Sequence, residues 1–140
     1  MIKDNFLHPV FFKSIQDHVL GWNFPWFLDK VLSNKNHKQM CHFLYNENKP
    51  NSDYFNELLP ILNALKCRSL VRMKFNLTFK TEKIIEHGFH VDEIGQHENI
   101  KTSILYMNTN NGYTTFKTGK KFKSKENRLI TFEGHKNHTG

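Results

Sequence analysis

From Asp53 to Lys66 the apolar residues of this chain recur at helical spacing, and from Leu70 to Phe79 they alternate with polar ones. A single change of period, from about 3.6 residues to about 2, constrains the chain to short helices followed by a run of strands. The first helix is expected over residues 9–20. Pro9 suits a first turn, and Val10, Phe11, Ile15, Val19 and Leu20 form one apolar stripe that Gly21 stops. A second helix is expected from an Asp53 cap to about Lys66, with Phe55, Leu58, Leu59, Leu62 and Leu65 on one face. Pro60 marks a kink inside it.

Between the helices the pattern is weaker. Trp22, Phe24, Trp26 and Phe27 around Pro25 fit an aromatic edge strand. They fit equally a short helix running on through Leu28, Val31 and Leu32. Residues 33–39 read as a polar loop, Met40–Tyr45 as a short strand and residues 46–52 as a second loop. Beyond Leu70, Val71, Met73, Phe75, Leu77 and Phe79 share one strand face, with Arg72, Lys74, Asn76 and Thr78 on the other. That polar face is either solvated or lines a barrel mouth. Further strands are expected over Lys101–Met107, Tyr113–Phe116 and Arg128–Phe132. The first pair is joined by an Asn-rich turn of residues that tolerate positive φ, and the second by a lysine-rich loop. The fold class is therefore α+β, one domain over residues 1–140 with an antiparallel, barrel-like sheet.

Composition limits the functional classes. No run of 18 apolar residues is present, and the N-terminus has no basic stretch leading into an apolar core, which points to a cytosolic protein. Cys41 and Cys67 lie in different segments without a Cys-x-x-Cys motif and read as buried thiols. The net charge of +7 comes mostly from dispersed lysines, with one cluster at Lys117, Lys120, Lys121, Lys123 and Lys125. Such a cluster is ordinarily solvated surface that discourages edge pairing; a nucleic-acid-binding β-domain is the alternative.

The candidate chemistry sits in Glu86-His87-Gly88-Phe89-His90-Val91-Asp92 and in Lys136-Asn137-His138. One residue separates His90 from Asp92, so on extended backbone their side chains share a face. A nitrogen from His138 completes two imidazoles and a carboxylate, a set that holds ferrous iron and leaves coordination positions open. His135 ranks second to His138. His87, three before His90, faces the other way and reads as surface or packing.

Around these residues the second half resembles a known family. The His90-x-Asp92 motif, the Tyr106-Met107-Asn108 strand end leading into Gly112-Tyr113-Thr114-Thr115-Phe116, the Asn127-Arg128-x-x-x-Phe132 strand and the closing His138 are similar to the iron(II)- and 2-oxoglutarate-dependent dioxygenases. The likeness is to their prolyl 4-hydroxylase-like branch and covers roughly residues 70–140. It implies a double-stranded β-helix, the jelly-roll or cupin-like barrel, with helices preceding it. His90, Asp92 and His138 would be the iron ligands. Tyr106 and Asn76 would contact 2-oxoglutarate, and Thr114 and Phe116 would shape the pocket. Iron(II), 2-oxoglutarate, dioxygen and ascorbate are the implied cofactors and cosubstrates. The implied reaction decarboxylates 2-oxoglutarate to succinate while hydroxylating a C–H bond of a peptidyl (prolyl by default) or small-molecule substrate. A barrel that binds metal or ligand without catalysis is the competing reading. The resemblance also implies an arginine or lysine about ten residues past the closing histidine, to pair with the distal carboxylate. Gly140 is the last residue, so the expectation is a fragment lacking its final strand or strands, holding 2-oxoglutarate weakly and turning over poorly.

Overall fold

A computed structural model describes residues 1–31, 34–92 and 99–140, and of residues 34–36 the backbone alone. Strand β1 (Ile2–Lys3) is followed by helix α1 (Pro9–Val19), with Pro9 in its first turn as expected. Strand β2 (Phe27–Val31) then pairs with a long β3 (Asn34–Asn46), which turns into β4 (Lys49–Pro50). A 3-10 turn over Asp53–Leu58 leads into helix α2 (Leu59–Leu65), and β5 (Met73–Leu77) returns against β3. The second half holds β6 (Lys101–Tyr106), β7 (Tyr113–Phe116), β8 (Lys121–Lys123), β9 (Arg128–Glu133) and β10 (His138–Thr139).

Three antiparallel sheets result. Their orders are β1-β9-β6, β10-β7-β8 and β2-β3-β4, with β5 on the free side of β3. The fold is mixed α+β, as expected; no closed barrel is present among the described residues. No helix among them is long and apolar enough to cross a membrane.

Several local expectations fail for identifiable reasons. The packed face of α1 is turned from the expected stripe, with Phe12 buried and Val10 and Leu20 exposed. Cys41 is buried within β3, but Cys67, just past the end of α2, is exposed. Residues 34–39 are strand, not loop, because their backbone pairs with β2 through Asp29↔Gln39 and Lys30↔Lys38, which no side-chain pattern reveals. Leu32 and Ser33 lie outside the described residues. The aromatic run 22–26 forms neither strand nor helix, and β2 begins only at Phe27. Ser52, not Asp53, caps the second helical segment, its hydroxyl accepting the Tyr54 N–H at 3.3 Å. Pro60 splits that segment into its 3-10 and α parts, as its missing N–H requires. Part of the lysine-rich loop is the strand β8, and Asn110 shapes the 108–112 turn by accepting the Gly112 N–H at 2.7 Å, without positive φ.

The apolar core lies between the helices and two of the sheets. Phe12, Ile15 and Val19 of α1 and Ile61 of α2 meet Leu44 of β3, Phe75 of β5 and Leu105 and Leu129 of the β6–β9 pair. At its centre Phe24 packs against His18, Trp26, His42, Tyr54 and Phe75 with ring centroids 4.7–5.7 Å away. His42 is a satisfied core histidine: Nδ1 donates to the Pro25 carbonyl and Nε2 accepts from Ser52, both at 2.7 Å. On the far side of β9, Phe132 packs edge-on against Phe116 of β7 at 4.9 Å. The β10-β7-β8 sheet is thus a further layer over β9, away from the helices.

Asn127 joins the N-terminus to this framework. Its side chain accepts the Leu7 N–H and donates to the Leu7 carbonyl, both at 2.9 Å, while its backbone bonds Phe6 and Tyr106. It holds φ 56°, a left-handed conformation asparagine tolerates. Nearby, Asp4 receives Arg128 at 2.6 and 3.0 Å and Lys125 at 2.8 Å. Those hydrogen bonds, Arg128 first, hold its carboxyl well below the usual carboxylate range.

Two stability predictions arise here. Asn127→Ala leaves two buried Leu7 backbone groups unpaired and should lower unfolding free energy by about 2–4 kcal/mol in denaturant titration. Asp4→Asn should lower the melting temperature at pH 7. A depressed carboxylate contributes stability that is present above the unfolded value of about 3.9 and lost as pH falls. The gap between Asp4→Asn and the parent should therefore shrink in melts taken below about pH 4.

Candidate metal centre

The site is built on a backbone pairing. His90 donates its N–H to the His138 carbonyl and accepts the His138 N–H, each at 2.9 Å. Such a reciprocal pair sets two residues directly opposite, with both side chains on one face. His138 is also opposite Phe116 in the β7–β10 pair, so His90, His138 and Phe116 form a row across β7, β10 and the segment that carries His90. Asp92, two residues past His90, joins them on that face. One donor atom from each of His90, Asp92 and His138 lies within 4.8 Å of the others.

The hydrogen bonds of the imidazoles orient them. His138 Nδ1 bonds the Lys136 carbonyl at 3.0 Å and His90 Nδ1 the Gly88 carbonyl at 3.3 Å. A carbonyl only accepts, so in each ring Nδ1 carries the proton and Nε2 keeps its lone pair. Each Nε2 then faces Asp92: His90 Nε2 stands 3.8 Å from Oδ1 and His138 Nε2 stands 3.6 Å from Oδ2. Burial, the largest influence, keeps His90 below its usual imidazole pKa and so neutral near pH 7. Two imidazole lone pairs and a carboxylate converge with no donor between them. That donor set fits a divalent metal, which such nitrogen and oxygen atoms bind at about 2.0–2.2 Å.

Surroundings differ around the ring. The His138 side chain is 5% exposed, under Phe132 at 4.7 Å and Phe116 at 6.0 Å. His90 and Asp92 are about a quarter exposed, which leaves that flank open to a ligand. From the position just before β5, Arg72 reaches Asp92, 3.8 Å from Oδ1, and its guanidinium donates to the Asp92 carbonyl at 3.5 Å.

The other expected site residues are placed less directly. Tyr106 donates its hydroxyl to Thr114 Oγ1 at 2.8 Å and lies 3.4 Å from the Phe122 carbonyl; burial raises its phenol pKa. Asn76 is exposed and opposite Cys41, on the β5 face that carries Arg72 and Lys74. His135 is exposed and outside the cluster. His87 is also outside it; its Nδ1 lies 2.8 Å from His37 Nδ1. The neighbours Arg72 and Lys74 escaped the sequence reading as site residues. The alternation of β5 had put them on one face, yet nothing in it said which face would meet Asp92.

Comparison with protein-family models, curated proteins and solved structures gave no match to this chain. Meaning must come from the geometry.

If the three donors act together, cobalt(II) titration followed by visible absorption should show one site. Asp92→Ala and His138→Ala should each weaken it by at least about 100-fold, beyond the effect of losing a supporting partner. His135→Ala should leave it unchanged.

Proposed function

We propose that this chain is an iron(II)- and 2-oxoglutarate-dependent dioxygenase domain of the prolyl 4-hydroxylase-like kind, built on a double-stranded β-helix. The observation that carries the reading is the pair of Nδ1-to-carbonyl bonds that turns both Nε2 lone pairs onto Asp92. Structural histidines buried for packing use both nitrogens, as His42 does. His90 and His138 each leave one nitrogen unbonded among the described residues, beside a carboxylate that offers no donor. The strand order supports the fold: the His90 bridge, β10, β7 and β8 follow one another across a single sheet that faces β9.

Iron(II) bound there supplies activation of dioxygen coupled to decarboxylation of the 2-oxo acid. The chain's residues then have separable roles. His90, Asp92 and His138 hold the metal. Phe116 and Phe132 seal the His138 side against water, and Arg72 fixes the Asp92 carboxylate and its backbone. The exposed flank at His90 and Asp92 admits the acid and the substrate, a peptidyl or small-molecule C–H donor.

The nucleic-acid reading gains little from the lysine cluster. Lys121 lies over the Tyr113 ring and 3.9 Å from Glu86, Lys125 is held by Asp4, and Lys120 lies over Phe122.

With iron(II) and 2-oxoglutarate, the folded protein should form succinate only in the presence of dioxygen, and Asp92→Ala should not. Tight metal binding with no succinate above the Asp92→Ala background would favour the non-catalytic binding role instead.

A further inference from the structure

A cleft of about 150 Å³ opens between α1, the 3-10 turn and β5. None of its lining residues is a donor of the metal centre or covers it. Depth sorts the lining by character. Phe24 is 5% exposed and Phe11, Tyr54 and Phe75 are half-buried, whereas Ser14, His18 and Glu57 are exposed. Aromatic rings thus make the interior and polar groups the mouth. The rings are inclined to one another: Phe24 meets Phe75 at 5.7 Å and 87°, and Tyr54 at 5.3 Å and 38°. Inclined rings do not cover one another's faces as stacked ones would, and each face carries partial negative charge.

Charge points the same way. The chain has 20 lysines and arginines against 13 acidic residues, yet neither lysine nor arginine lines the cleft. Its one carboxylate is Glu57, which has no ion pair or hydrogen bond to any described residue. The cleft is therefore a negative spot on a positive chain.

We propose that this cleft binds a small, free quaternary ammonium ion of the choline type, with its methyl groups among the rings and its charge toward Glu57. Ring faces attract a cation held within about 6 Å of their centroids. A primary ammonium would bring three N–H donors that rings leave unpaired; a quaternary one has none to desolvate. An apolar cavity of about 150 Å³ takes a molecule the size of benzene, and a trimethylammonium group is of comparable bulk. The cleft and the metal centre share no residue, so this assignment stands independently of the metal-centre reading.

The test titrates the isotope-labelled full chain with choline and with 3,3-dimethylbutan-1-ol, its uncharged isostere with carbon in place of nitrogen, followed by NMR. The parent should bind choline about 10-fold more tightly than the alcohol, with shifts centred on Phe11, Tyr54 and Phe75. Glu57→Gln removes an exposed charge, and Phe11→Leu removes a ring but keeps apolar bulk. Each should cut the preference for choline by about 3-fold or more, with affinity for the alcohol little changed. Equal or tighter binding of the alcohol by the parent would overturn the proposal and leave a site for neutral apolar molecules. Absence of shifts at the cleft with choline would overturn it before any variant is made. A preference for choline that survives in both variants would overturn it as well.

Discussion

Two backbone hydrogen bonds, exchanged between His90 and His138, make the site possible. The two histidines are distant in sequence, and His90 belongs to no regular strand. Their reciprocal pairing fixes both Cα atoms and both side-chain directions at once, which no pair of flexible loops could do. It extends the β10-β7-β8 sheet by one residue, and that residue carries the first donor of the centre. The pairing in turn depends on β10 being seated on β7 and on Phe132 of β9 filling the space beneath His138. Local bonding and long-range packing therefore support the same few atoms.

Electrostatics complete what the pairing begins. Each imidazole spends its proton on a carbonyl two residues back, so the lone pairs that remain are turned inward by the chain's own turns. Asp92 is held by Arg72, the residue just before β5. The centre lies where β10 carries His138, Phe116 of β7 and Phe132 of β9 cover it, and Arg72, just before β5, supplies positive charge. Helices take no part in it. They back the β3 and β9 sheets, and Asn127 and Asp4 tie the N-terminal segment onto that support.

Much of this was legible in the residues. The apolar periodicity located α1, the second helical segment and the strands at β5, β6, β7 and β9. The spacing of His90 and Asp92 implied a shared face, and that face is the one the structure shows. Less legible were segments whose structure comes from their partners. Residues 34–39 are polar, yet they are strand because β2 offers them hydrogen bonds; β8 is a strand inside a lysine-rich stretch for the same reason. The aromatic run around Phe24 carried no period because its rings converge on one core position instead of lining one face.

The sequence by itself determined the α+β class, the approximate places of the helices and several strands, and the shared face of His90 and Asp92, since each follows from interactions between residues close along the chain. Only the tertiary structure decided that His138 and not His135 joins them, that Arg72 borders the centre, and that Arg128 is committed to Asp4. Those outcomes depend on which strand lies opposite which. A one-residue change of register would turn every side chain to the other face, and no local pattern in the chain encodes it.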